Sequence, residues 1–348
     1  MHLDVTFLAP YLDQVPALAQ AADQVGFDAF WVSETRYNPF LALTLAAEHS
    51  QRLFLGTAVA IAFARSPMVT AQTAWDLQRY SHGRFLLGLG TQVRAHIERR
   101  FGMPWDPPVP KLREYILALR EIWASWQERR PVRFRGRFYT ITLMTDFFNP
   151  GPIAHPRIPI YIAGVNRGLI RLAGQMADGF HVHPLHSVRY LREVLLPTLV
   201  EGLRDAGRSR REIALAATVL VVTGPNERER ARARRFVRQQ IAFYASTPSY
   251  RLVFDLHGWS AVAERLSRMA ARGEWDEMAS LITDEMLHTF AVDAAWDALP
   301  QALIQRYEGL LDRIALYYRF RPEAQEAWRA FYQTWRATLA QRYADAEP

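Results

Sequence analysis

Two histidines one residue apart close the run Asp178-Gly179-Phe180-His181-Val182-His183. Residues i and i+2 of a strand project to one face, so the pair has the spacing of two metal ligands in a barrel hydrolase. Such a centre also needs carboxylates or further histidines from other strand ends. His155, His257 and His288 fall in loops or helices, and Glu34 is the one well-placed acid. The same spacing serves a hydrogen-bonded pair or two contacts to a ligand. No metal is therefore assigned, and a metal-dependent barrel hydrolase using His181 and His183 stands as an alternative.

Gly164-Val165-Asn166-Arg167-Gly168 joins a strand to a helix. Backbone N–H groups and the helix N-terminus then face one spot, as in a phosphate cradle; a plain tight turn would need the glycine too. Gly88-Leu89-Gly90 is a near miss for a dinucleotide fingerprint, because Val93 stands in the third glycine's place and the segment follows a fourth strand. Tyr37, Phe63, Phe101, Trp105, Phe147 and Phe148 are large aromatics in loops. They read either as a pocket for a flat or apolar ligand or as small cores of insertions.

The elements that must position these groups alternate from the first residue. Strand patterns fall at 3–7, 28–32, 53–61, 84–89, 158–163, 178–183, 213–222 and 312–318, each followed by a helical pattern. Several are continuous apolar runs, which indicates parallel strands covered on both faces. Eight strand–helix pairs with no linker or repeat predict one α/β domain over 1–348, a (β/α)8 TIM barrel with insertions at the C-terminal face of the strands. The insertions are placed at about 94–156 and 241–300, where the rhythm breaks. In this fold the chemistry sits just beyond the C-terminal strand ends.

The chain has 348 residues, half of them apolar, and no cysteine. That excludes disulfides, thiolate metal sites and cysteine nucleophiles. Lys111 is the single lysine, so 41 of the 42 basic residues are arginine. Most are interleaved with Glu and Asp on helices, as in an ion-paired face, while Arg36, Arg65, Arg94 and Arg167 are expected at the barrel mouth. No nucleic-acid motif and no apolar run long enough to span a membrane is present. The N-terminus has no secretory pattern, so a cytoplasmic protein is expected.

The chain resembles the luciferase-like monooxygenase superfamily, and within it the branch of predicted coenzyme F420-dependent oxidoreductases. The resemblance lies in Gly26-Phe27-Asp28-Ala29-Phe30-Trp31-Val32-Ser33-Glu34 and Leu55-Gly56-Thr57-Ala58-Val59. It continues in Asp76-Leu77, Ser81-x-Gly83-Arg84-Phe85-x-x-Gly88-x-Gly90, Pro159-Ile160-Tyr161-Ile162-Ala163 and Ala177-Asp178-Gly179-Phe180. It implies an enzyme, an oxidoreductase carrying coenzyme F420, or alternatively FMN, at the barrel mouth. It also implies a non-prolyl cis peptide at Ala58–Val59. Hydride would move between the deazaflavin and a small apolar or unsaturated substrate; an FMN-dependent monooxygenase is the alternative.

On that resemblance Glu34 is the catalytic residue, as ring contact or proton donor. Ala58, Val59, Gly90, Thr91, Gly164, Val165, Asn166 and His183 bind the cofactor. Tyr37, Phe63, Trp105 and Phe148 line the substrate pocket. Some F420-dependent dehydrogenases carry Asp-His after the second strand, whereas this chain reads Glu34-Thr35, which favours a reductase or monooxygenase. The partner is a small-molecule substrate, with no nucleic acid or membrane, and a homodimer through the second and third helices is expected.

Overall fold

The computed structural model describes residues 1–344. Eight parallel strands close into a barrel: β1 (His2–Phe7), β2 (Ala29–Val32), β3 (Phe54–Thr57), β4 (Phe85–Gly90), β5 (Ile160–Gly164), β6 (Gly179–Val182), β7 (Ala214–Val222) and β8 (Arg313–Leu316). Each pairs with the next, and β8 returns to β1 with His2 opposite Arg313 and Asp4 opposite Ala315. The (β/α)8 expectation therefore holds, strand for strand. The third expected strand is interrupted: after Thr57 the peptide between Ala58 and Val59 is cis, and pairing resumes at Ala60–Ile61 against β4.

The apolar runs are continuous because both strand faces are buried. Outward residues such as Leu55, Leu87, Ile162, Phe180, Val219 and Ile314 lie under the helices in the main core. Inward residues Ala29, Trp31, Leu86, Tyr161 and Ala216 form a separate cluster inside the barrel. Two glycines make room for it. A Cβ at Gly56 would lie 2.1 Å from the Trp31 ring, and one at Gly179 2.1 Å from Tyr161. Below these rings Asp4 accepts from Trp31 Nε1 at 2.8 Å and from Arg313 Nε and Nη2 at 2.8 and 2.7 Å. The N-terminal half of the barrel is thus packed shut, and only the opposite end can admit a ligand.

The helices start and stop where their residue types demand. α1 (Val15–Val25) ends on Gly26 in the left-handed region, φ 104°. α2 (Pro39–Glu48) is capped by Asn38 and α3 (Pro67–Tyr80) by Ser66, each with proline at the first position. α4 (Pro108–Glu128) packs against α3 and against α5 (Arg167–Met176), in the outer ring. The first expected insertion is therefore smaller than 94–156. It consists of the short helix Arg94–Arg99 with the loop up to 107, and of the segment from 129 that carries the hairpin Phe134–Arg135/Thr140–Ile141.

Beyond α6 (Leu196–Asp205) and β7, α7 (Glu227–Ala245) opens the second long excursion. It holds three further helices and one element not anticipated from the sequence. Ala291–Asp293 is a strand paired parallel to the upper end of β7, with Ala291 opposite Leu220. Three residues are too few to show alternation. α8 (Leu299–Tyr307) and α9 (Gln325–Ala344) complete the ring. Among the described residues no helix is long and apolar enough to cross a membrane.

Candidate active site at the barrel mouth

Accessibility along the strands locates an open well. Ala163 follows buried Ile162, His181 lies between buried Phe180 and Val182, and Thr218 between buried Ala217 and Val219, yet all three are partly exposed. Thr6, Ala58 and Tyr317 are partly exposed at the same end of their strands. Since alternate residues of a strand share a face, these inward positions meet open space above Trp31 and Tyr161. Most are small, and Gly88 and Gly90 add two positions with no side chain. A Cβ at Gly88 would lie 1.8 Å from the Thr57 carbonyl oxygen, and one at Gly90 2.5 Å from Val59 Cγ2. The β3–β4 side of the well is consequently a smooth backbone surface with Val59 standing on it.

Hydrogen bonds from the end of β2 hold that surface. Ser33 Oγ donates to the Ala58 carbonyl at 2.7 Å, and the Glu34 amide donates to the Val59 carbonyl at 3.3 Å. The Glu34 carboxylate accepts from the Ile61 amide at 2.6 Å and pairs with Arg65 through Nη1–Oε2 at 2.7 Å and Nη2–Oε1 at 2.6 Å. Burial penalises the Arg65 cation, but the hydrogen bond and charge of Glu34 outweigh it and hold the guanidinium above its ordinary pKa. Both Glu34 oxygens are engaged as acceptors. The geometry makes Glu34 a brace for the Ala58–Ile61 segment, with each carboxylate oxygen accepting at least one hydrogen bond.

Around the rim, Tyr37 lies tilted against Tyr11, with ring centroids 5.6 Å and planes 48° apart and both rings about half exposed. Phe63 is buried and meets Trp105 edge-on at 6.2 Å. The chain's only lysine, Lys111, is buried with Nζ 5.0 Å above the Phe63 ring and 2.8 Å from Asp106 Oδ2. It anchors the loop that carries Trp105. Arg100 closes the rim by donating to the Thr35 carbonyl. Thr91 is buried beside Gly90, and its hydroxyl donates to the Gln92 carbonyl at 3.2 Å.

At the end of β5, Gly164 is required by the fold itself, because a Cβ there would lie 2.6 Å from Leu169. Val165 is buried, and its carbonyl accepts from the Tyr190 hydroxyl at 2.6 Å. Asn166 precedes α5 without capping it, its amide turning to the Ser249 carbonyl at 3.4 Å. The Asn166 carbonyl is taken by the Leu169 and Ile170 amides, and those of Arg167 and Gly168 have no protein acceptor among the described residues. That leaves an open helix N-terminus at the mouth.

The β6–β8 side is an aromatic wall. The His183 ring lies 4.1 Å from that of Tyr250 at 32° and 4.7 Å from that of Tyr244 at 84°. The Tyr244 and Tyr317 hydroxyls are 3.0 Å apart, and Tyr317 donates to Gln240 Oε1 at 3.0 Å. Burial lowers the pKa of His181 and of His183 to about 3 and raises those of Tyr244, Tyr250 and Tyr317. Every titratable group of this wall is therefore neutral near pH 7. The three tyrosines were not among the expected site residues. Tyr244 ends an arginine-rich helix and Tyr250 sits in a short turn; of the three only Tyr317, inward by alternation with Arg313 and Ala315, left a trace in the sequence.

The structure does not bring every expected residue to the mouth. Phe148 is 61% exposed and packs edge-on with Phe147. It lies between Met144, whose sulfur accepts from Trp126 Nε1, and Gly151, whose carbonyl accepts from Trp75 Nε1. Both tryptophans sit well down α4 and α3, so Phe148 is on the outer face of the barrel and not in the pocket. The segment after α4 descends toward the start of β5 instead of crossing the mouth.

The arginines are corrected too. Arg65 is neutralised by Glu34 and Arg94 pairs with exposed Glu98, whereas Arg167 meets only the Thr198 hydroxyl and Arg36 is exposed with no ion pair among the described residues, so the expected cationic rim is reduced to these two. Among the described residues no three His, Asp or Glu side chains gather where they could hold a metal, which leaves His181 and His183 without the further ligand a hydrolase needs.

The family model for luciferase-like monooxygenases matches residues 3–313. An uncharacterised protein of Mycobacterium tuberculosis (strain H37Rv), Rv1360, is 46% identical over 325 residues, 92% of this chain and 95% of its own length. A putative coenzyme F420-dependent oxidoreductase of the same organism, Rv3520c, is 29% identical over 288 residues, 78% of this chain and 80% of its own. Among solved structures, the coenzyme F420-dependent tetrahydromethanopterin reductase of Methanopyrus kandleri superposes with a TM-score of 0.79 at 22% identity, over 96% of this chain and 97% of that one. The chain belongs to the luciferase-like monooxygenase family and is an oxidoreductase of that type.

Proposed function

We propose that the chain is a coenzyme F420-dependent oxidoreductase acting on a small, uncharged, unsaturated substrate. The observation that carries this reading is the slot on the β3–β4 side, where Gly88 and Gly90 exclude side chains and Val59 offers a flat apolar support beside the open N-terminus of α5. The similarity to a putative F420-dependent oxidoreductase supports the same cofactor. The fit is of the right kind: a planar ring against backbone, and a phosphate on free N–H groups.

Ala58, Val59, Gly90 and Thr91 would back the ring, and the turn Gly164-Val165-Asn166 would hold the phosphate. When bound, the deazaflavin supplies two-electron hydride chemistry. The chain's own residues orient the ring through the Glu34–Arg65 brace, exclude water with Phe63 and Trp105, and present neutral donors from the β6–β8 wall. The proposed enzyme is a homodimer. A groove of about 1320 Å³ along α2 and α3, with Leu41 and Val69 half exposed on it, supports that arrangement, and light scattering in solution tests it.

Titration of the cofactor-free protein with F420 and, separately, with FMN is the deciding experiment. Micromolar binding of F420 with a change in its fluorescence is expected. Binding of FMN alone overturns the F420 reading in favour of a flavin-dependent monooxygenase.

A further inference from the structure

The orientation of one imidazole is fixed by the backbone. His183 Nδ1 accepts the Leu185 amide at 3.1 Å. A neutral imidazole carries a single N–H, so accepting at Nδ1 leaves the proton on Nε2. That atom bonds no protein group among the described residues, and unlike the Nε2 atoms of His181 and His186 it is not sealed from solvent. The ring is clamped by Tyr250 on its face and Tyr244 at its edge, and its own carbonyl accepts from His186 Nδ1 at 2.8 Å.

The hydroxyl protons of Tyr244 and Tyr317 are committed. Tyr317 donates to Gln240, so the proton shared between Tyr244 and Tyr317 belongs to Tyr244 and is held by the Tyr317 oxygen. His183 is thus a rigid, permanently neutral N–H donor set in an aromatic wall. In the barrel order, β6 to β8 lie across the mouth from the Val59–Gly90 slot on β3 and β4.

We propose that this wall is the substrate subsite, and that His183 Nε2–H donates to the heteroatom of a flat, uncharged, conjugated carbonyl or imine lying against Tyr250 and Tyr317. Aromatic faces favour a planar partner. A neutral donor, with Arg65 and Arg313 already paired to Glu34 and Asp4, offers no charge to an anion. The hydrogen bond polarises the C=O or C=N group of such a ligand and fixes which edge faces the slot. This assignment moves His183 from the cofactor side, where the family resemblance put it, to the substrate side. It rests on the proposed function only for the identity of the molecule opposite; the subsite itself binds without a cofactor.

The test uses cofactor-free protein and two probes of the same shape, coumarin with its conjugated carbonyl and naphthalene without one, titrated by ligand-observed NMR. Coumarin should bind roughly 3- to 10-fold more tightly, the contribution of one neutral hydrogen bond. His183→Phe should abolish that preference, and His183→Gln, which keeps an N–H donor, should restore part of it. A preference that survives His183→Phe overturns the proposal.

Nitrogen-15 spectra of the wild-type ring give a readout that needs no variant. An Nε2–H tautomer unchanged from pH 5 to 8, with Nε2 shifting on addition of coumarin, is expected; an Nδ1–H tautomer overturns the proposal. Titration of His183→Phe with F420 separates the two readings. Unchanged F420 binding supports the substrate role, and lost binding returns His183 to the cofactor side and overturns it. Wild-type protein that binds coumarin as stated but not F420 sinks the cofactor assignment and leaves the subsite standing.

Discussion

Arg65 meets Glu34 with both terminal nitrogens, each within 2.7 Å of a different carboxylate oxygen, and the pair is largely buried. A bidentate pair of this kind fixes direction as well as distance. It links the end of β2 to the segment that carries Val59, so its role is to hold the slot in shape. Removing one partner strands the other charge in a buried place, which typically costs about 3–5 kcal/mol. Arg65→Met should therefore lower the melting temperature sharply and weaken cofactor binding at the same time.

Glu34→Gln keeps an acceptor for Ile61 but weakens the pair. It should raise the F420 dissociation constant by about tenfold or more, the equivalent of roughly 1.4 kcal/mol. The shape of the pH–rate profile should not change. A variant that binds F420 normally but loses one limb of that profile would make Glu34 the proton donor.

Gly90 is the cleanest probe of the slot. Alanine there sets a Cβ 2.5 Å from Val59 Cγ2, and overpacking of that kind costs about 1–3 kcal/mol. Val59 is the group that must move, so Gly90→Ala should impair cofactor binding more than its melting temperature suggests. Gly90→Ala combined with Val59→Ala removes the clash and should recover most of the lost stability. Recovery of stability without any recovery of F420 affinity would show that Val59 itself touches the ring.

The eight strands were legible because burial on both faces writes itself as unbroken apolar runs, and β4 (FLLGLG) and β7 (ALAATVLVV) are plain examples. The slot was legible only through a resemblance, since nothing in Ala58-Val59 taken alone requires its geometry. The aromatic wall escaped notice because Tyr244, Tyr250 and Tyr317 are brought together by barrel closure and by a helical excursion over 70 residues long. Phe148 was misplaced for the converse reason. Aromatics in a loop indicate burial against something, but the path of the loop depends on α4 taking its place in the outer ring, a packing result that local pattern does not encode.

That misplacement yields a paired test. Trp105 lies edge-on to buried Phe63 at the rim, whereas Phe148 is on the outer surface. Trp105→Ala should raise KM for the substrate by about tenfold through loss of an aromatic contact and admit water to the mouth. Phe148→Ala should leave kcat and KM within about twofold of wild type. Steady-state kinetics of the two variants with one substrate settles the contrast. Equal losses would mean that the segment after α4 crosses the mouth after all.

His186 is fully buried and His181 and His183 are largely enclosed, which makes the fold sensitive to acid. Burial lowers His181 and His183 to about 3 and His186 to about 4, from 6.5. The folded values lie below the unfolded one, so between about pH 3 and 6.5 the unfolded chain binds the extra protons. Stability is then complete above pH 6.5 and falls as the pH drops below it. By pH 5.5 each histidine forfeits on the order of 1 kcal/mol. Carboxylates lowered by ion pairing, such as Asp293 beside Arg230 and Arg234, act in the same direction but only at lower pH. Melting temperatures recorded from pH 8 to 5 should hold steady to about 6.5 and then decline. His181→Phe should flatten that decline by about a third, because one of three titrating groups is gone. Turnover, in contrast, should show no inflection near pH 6.5 from His183, since a group already neutral there has no proton to lose.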